Sequence, residues 1–299
     1  MAIAFGAAAA AGAAQLGIGY GLGVFSWLPT VAGVDDAAWQ ASLAWTVWIT
    51  ATSVVLGSIA GDRGVGLTAL SRLLLRIGIV LSAALGGVAV TLMIALPSRA
   101  AVRADTFAPE TIVGGYAIAG VLLGLAVALA AVHVRPMAIN VVATTSWLWL
   151  LAAVAFTDAL GAGRDLTLTE LSVWHVTIGG PVFRGIYLPG AVMVLTASLI
   201  IGGLAAWPIA RAEGRKASAA LSGAGGPLLL AGAYLLTAPA FAVDLFAPCA
   251  AVLSGLIGSV AITGLAGRRG RSGAGRLRRD NSQPTLVSAA KPKIASDAI

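Results

Sequence analysis

Between residues 158 and 187 the chain gathers most of the side chains it has for acid, base or cation chemistry. Asp158, Arg164, Asp165, Glu170, His175, Arg184 and Tyr187 fall within one stretch. A carboxylate pair, an imidazole and a guanidinium could transfer a proton or clamp an anion if the fold brought them together. Asp158, Asp165, Glu170, His175 and Arg184 are therefore candidate binding residues, with Asp244, which opens a later apolar run. The alternative is a polar loop whose charges face water. The chain has only 2 His and 1 Cys. It shows no HExxH, no paired-cysteine spacing, no GxSxG and no Walker sequence, so neither a metal nor a cofactor is expected.

The next candidates are glycines. Gly17, Gly19, Gly21 and Gly23 alternate through Gly17-Ile18-Gly19-Tyr20-Gly21-Leu22-Gly23. Gly17 with Gly21, and Gly19 with Gly23, have the small-xxx-small spacing that lets helices in lipid approach closely. The run lacks the GxGxxG pattern and a preceding strand, so helix packing is expected and a nucleotide loop is not. Gly225, Gly226 and Pro227 follow Ser222-Gly223-Ala224 and should interrupt a helix. Broken helices free backbone groups that can face a substrate cavity. Gln15 and Asn140 are uncharged polar residues inside apolar runs, where hydrogen bonding between helices is their expected role.

The elements carrying these residues follow from composition. Of 299 residues, 59% are hydrophobic and only 10% charged. A water-soluble domain carries about 25% charged residues. This much apolar surface needs lipid as its solvent, and a bilayer asks for about 20 apolar residues per crossing. Eight such runs are read, at 8–28, 39–60, 74–96, 112–132, 137–157, 186–206, 219–240 and 243–265. Backbone groups in lipid must be paired internally, so each run should be a helix. The fold class expected is an all-α, polytopic membrane bundle of about eight transmembrane helices over residues 1–266. The Ala-rich start lacks a positive n-region and reads as a retained first helix. The seventh run is the place where eight could become seven or nine.

The basic residues orient the bundle. With the first residue in the cytoplasm, 15 of the 19 Lys and Arg fall on the cytoplasmic side, leaving Arg99, Arg103, Arg164 and Arg184 outside. The positive-inside rule then predicts both termini in the cytoplasm and a cell-membrane location. Residues 267–299 are rich in Arg, Gly and Ser and read as a basic disordered cytoplasmic tail. Its Arg268–Arg279 cluster would rest on anionic lipid headgroups. The net charge of +7 is spread as membrane topology requires and not as a nucleic-acid-binding patch. The preference for Arg over Lys and the many alanines fit a GC-rich bacterial genome.

Within the long loop, Thr167-Leu168-Thr169-Glu170 has capping-box spacing. Leu168, Leu171, His175 and Ile178 would then share one face of a short interfacial helix, stopped by Gly179-Gly180-Pro181. The Thr and Val content also permits a hairpin. In the first outside loop, Asp35-Asp36 resembles the acidic residues that polyprenol-dependent membrane glycosyltransferases place there. Here the loop is short and no large soluble domain follows. Three functions are open at this stage: a permease or exporter component for a small or amphipathic solute, a non-catalytic envelope scaffold, and an enzyme acting on a lipid-linked substrate at the outer face. The span centres carry no charge, which argues against a proton relay of buried carboxylates.

Overall fold

The computed structural model describes residues 1–25, 27, 36–62, 68–103, 108–163, 171–172, 182–183, 186–210, 216–237 and 246–280. The protein is an all-α bundle. Its helices are α1 (Ala2–Gly21), α2 (Asp36–Gly61), α3 (Ala69–Ser98), α4 (Pro109–Ala131), α5 (Arg135–Gly161), α6 (Leu188–Ala210), α7 (Lys216–Leu221), α8 (Gly225–Thr237) and α9 (Phe246–Asp280). A 3-10 turn, Ser222–Ala224, joins α7 to α8, so Ala217–Thr237 is a single candidate span. Eight helical segments are thus long and apolar enough to cross a bilayer, as the composition required. The end of the bundle where the chain begins is called the near end below, and the opposite one the far end.

Helix boundaries follow local chemistry. The first span starts earlier than hydropathy alone suggests and stops at Gly21. The stop is a Schellman motif: Gly23 has φ 65, its N–H donates to Tyr20 O, and the Val24 N–H reaches Gly19 O. Only glycine enters that left-handed region without steric cost. Thr68 caps α3, its side chain accepting from the Ser71 N–H. The last helix continues past its apolar part, Phe246–Ala266, to Asp280. The basic segment read as a disordered tail therefore begins as an extension of α9. Residues 281–299 lie outside the described residues.

The core centres on α2. In its apolar window 83% of residues are buried, against 28 to 61% in the other seven. Trp45, Val47, Trp48, Ile49, Val54 and Val55 are all almost fully enclosed. A buried helix this rich in hydroxyls must dispose of them, and it does so locally. Ser42, Thr46, Thr50, Thr52, Ser53 and Ser58 each donate to the carbonyl four residues earlier, at 2.6–2.9 Å. That back-bonding satisfies the donor without a second helix. Leucines of α3, α4, α6 and α9, such as Leu85, Leu122, Leu204 and Leu253, are exposed. Apolar side chains at the surface are what a lipid-facing exterior requires.

Spans two places apart in the chain run parallel and touch at glycines. Gly12 and Gly86 pack α1 on α3, Gly120 and Gly124 pack α2 on α4, and Gly202 and Gly258 pack α6 on α9. A Cβ at Gly124 would strike Ala51 O, and one at Gly258 would strike Leu199 O. The contacts α2 with α4 and α6 with α9 are among the most extensive in the bundle. α1 to α4 thus form one group around α2, α6 and α9 form a second, and α5 and α8 lie against both.

Candidate functional site

The charged loop residues meet the structure only in part. Asp158 lies near the end of α5, half-buried at the far end. Asp165, Glu170, His175, Arg184 and Asp244 lie outside the described residues, as do Asp35 and the expected capping box. Leu171-Ser172 is a turn, and Ser172 has φ 68. That left-handed residue does not fit a helix running from Leu168 to Ile178. Leu171 is buried in the main core, and the Tyr234 hydroxyl of α8 donates to its carbonyl. The loop is therefore tied into the far end of the bundle. A minimal strand pair follows it, Val182–Phe183 with Ile186–Tyr187, in antiparallel register. It takes Tyr187 away from the helical arrangement expected around it.

The glycines of the first span have three different roles. Gly19 faces Phe25 and Trp149 inside the bundle, Gly17 and Gly21 have nothing within 4 Å, and Gly23 supplies the helix stop. Beyond this stop Tyr20, Phe25, Trp27 and Trp39 form a chain of aromatic contacts at 5.1–5.7 Å. Trp27 Nε1 donates to the Tyr20 hydroxyl at 3.1 Å. The Arg103 guanidinium sits 4.8 Å above the Trp39 ring, a cation–π contact that suits an interface. Ion pairs mark both ends: Arg76 with Asp62 at 3.2 Å near, and Arg99 with Glu110 at 3.8 Å far. His133 is exposed at the near end, with Nδ1 2.6 Å from Leu129 O. Among the described residues no three His, Cys, Asp or Glu are grouped to hold a metal.

Two uncharged side chains tie the interior together. Gln15 of α1 is buried between three helices. Its Oε1 accepts from Thr52 at 3.1 Å and from Trp149 Nε1 at 3.0 Å, while its Nε2 donates to Ser53 at 3.4 Å. Asn140 of α5 serves the interruption in span seven. Pro227 has no N–H for the carbonyl of Gly223, and its ring disfavours a regular helix there. Asn140 Nδ2 donates to that Gly223 carbonyl at 3.4 Å, and Asn140 Oδ1 accepts from the Gly226 N–H at 2.6 Å. One carboxamide thus replaces the backbone bonds the break removes. The break is also closely packed. Gly223 and Gly255 meet backbone to backbone, and Gly255 also meets Gly202. Gly225, Gly226 and Pro227 are all buried. The freed groups expected to line a cavity are instead engaged by Asn140.

One turn deeper along α5 the pairing stops. Thr144 Oγ1, Thr145 Oγ1 and Trp147 Nε1 on α5, and Trp48 Nε1 on α2, are buried without a hydrogen-bond partner. Thr144 stands against Gly226, where a Cβ would collide with it. Trp45 and Trp149, 4.9 Å apart, fix the facing of α2 and α5. Sequence reasoning named Asn140 and Gln15 but missed these four. A signal was present: two adjacent threonines and two tryptophans in an uncharged span.

The protein is a multi-pass α-helical membrane protein. No family model, curated protein or solved structure matches the chain.

Proposed function

We propose that the protein is a permease or exporter component for a small, uncharged or amphipathic solute. The observation that carries this reading is the placement of Thr144 and Thr145. Two buried hydroxyls lie unpaired beside the interruption of span seven, while six hydroxyls of α2 are all paired within their own helix. Hydroxyls on α5 have the same carbonyls within reach. Left unpaired in a dry interior they cost about 1–3 kcal/mol each, which a polar group on a passing solute would offset. Transporters place such sites at interrupted helices. The uncharged span centres favour a neutral or zwitterionic cargo over an ion.

In this reading the near end faces the cytoplasm, in accord with the basic residues. The basic extension of α9 rests on anionic headgroups of the cell membrane. The test is uptake and efflux in proteoliposomes with a panel of neutral and zwitterionic amphipathic solutes. Transport above that of empty vesicles, lowered at least fivefold by Thr144→Val with Thr145→Val, is expected. Flux equal to empty vesicles across the panel would remove the reading.

A second reading has its own support. The close glycine contacts of α6 with α9, and of both with the 3-10 turn, suit a rigid scaffold in the envelope. Such a protein would co-purify with a membrane partner at fixed stoichiometry, and purification as a lone chain from cross-linked membranes would count against it.

A further inference from the structure

Six buried side-chain atoms are unpaired among the described residues. Besides Gln40 Oε1, Arg76 Nε and Trp147 Nε1 they are on Trp48, Thr144 and Thr145, and these last three lie together. Trp48 is three residues beyond Trp45, about 4.5 Å along α2. Thr145 is four residues before Trp149, about 6 Å back along the oppositely directed α5. Starting from the Trp45–Trp149 contact, both steps lead toward the near end, so Trp48 and Thr145 sit at about the same level. Thr144 lies on the neighbouring face of α5, about 100° around from Thr145. That face meets α8 at Gly226. The helices α2, α5 and α8 contact one another pairwise. Trp48 is fully buried, and Thr144 and Thr145 are more than nine-tenths buried.

The chemistry of this set is one-sided. An indole N–H donates and cannot accept, and a threonine hydroxyl can do either. Trp48 therefore calls for an acceptor atom on the ligand. None of these three residues carries a charge, and neither do Gln15, Asn140, Trp45 and Trp149 around them. An anionic ligand would enter a dry site with no counter-charge, which is strongly unfavourable. Three indoles, Trp45, Trp48 and Trp149, supply flat apolar surface close to this level. Resting on the carrier reading above, we infer that the α2–α5–α8 junction binds a neutral, flat, mainly apolar molecule bearing a carbonyl-type oxygen, held by the Trp48 N–H and the Thr144 and Thr145 hydroxyls. Gln15 and Asn140 are spent on the protein's own groups, and these three are left for a guest.

The test uses the full chain in nanodiscs of phosphatidylethanolamine and phosphatidylglycerol, with empty nanodiscs subtracted. The probes are 9-fluorenone, fluorene, which has the same shape without the oxygen, and 9-fluorenone-4-carboxylate, which adds a charge. Equilibrium dialysis should give saturable binding of 9-fluorenone, at least fivefold tighter than fluorene, with the carboxylate weaker than either. Trp48→Phe and Thr145→Val should each lower 9-fluorenone affinity threefold or more and leave fluorene unchanged, with helical content and melting temperature retained. Fluorene or the carboxylate binding as tightly as fluorenone, or no binding above empty nanodiscs, would overturn the inference. The probe comparison on the unaltered protein decides even if a variant misfolds. Binding without transport would leave the inference standing and remove the carrier reading. Transport of some other solute, unaffected by 9-fluorenone, would do the reverse.

Discussion

Single carboxamides carry an unusual share of the interior. Asn140 closes two backbone groups that Pro227 leaves open, and no other described side chain is bonded to either. Replacing it by Leu keeps the volume roughly constant and strands one N–H and one C=O in a dry interior. Each stranded group costs about 1–3 kcal/mol, although hydrogen bonds within membranes average nearer 0.6 kcal/mol. Asn140→Leu should therefore lower stability by about 1–3 kcal/mol, and unfolding in mixed detergent can measure it. Asn140→Asp keeps the acceptor for Gly226 and should recover part of the loss only if it stays neutral. The residue types of Asn140 and Gln15 were legible in the sequence, and so was their role between helices. Their partners were not. Gln15 and Trp149 are 134 residues apart and Asn140 and Gly226 are 86 apart, and no local pattern links positions that meet only through packing.

At the level of elements, the glycines divide by what stands opposite them. Gly202 lies against the Gly255 carbonyl, so a side chain there must push two backbones apart. Overpacking of this kind costs about 1–3 kcal/mol or more. Gly202→Val should thus destabilise the α6–α9 pair by at least about 2 kcal/mol, or prevent folding. Gly17→Val, at a position open on every side, should change the melting temperature little. Measuring both variants side by side in one thermal-shift series checks the contrast. The sequence marked the two positions alike, because glycine spacing reports that close approach is possible and not where a neighbour is. Element positions were far more legible. Each run of about 20 apolar residues satisfies its backbone in lipid as a helix. Seven of the eight segments appear close to where hydropathy places them, and the first, read at 8–28, lies at Ala2–Gly21. Span seven survives its glycines and proline because a 3-10 turn and a side chain from α5 bridge the gap.

For the whole molecule, eight crossings bring the chain back to the side on which it started. In the reading proposed above, the distribution of Arg and Lys assigns this side to the cytoplasm. In a Cys249→Ala background, Ala162→Cys at the far end should react with an impermeant maleimide in intact cells. Ser288→Cys should react only after permeabilisation. The opposite labelling pattern would invert the topology and with it the direction of any transport. The charged loop between α5 and α6 is where the sequence said least that the fold could use. Its residues were grouped by nearness along the chain, whereas the structure ties Leu171 to Tyr234 of α8 and pairs Val182–Phe183 with Ile186–Tyr187.

The parallel pairing of spans two places apart also fixes an order in time. A chain inserted from its first residue completes the contacts of α1, α2, α3 and α4 once the fourth helix has entered the bilayer. α6 cannot meet its main neighbour until α9, the last span, has emerged. During that interval Gly202 and Gly203 face lipid, and the interrupted span seven has neither Gly255 nor a finished bundle to lean on. Asn140, already in the membrane on α5, is the partner in place when the break arrives. The second half of the protein is accordingly the part whose packing waits until α9 has emerged.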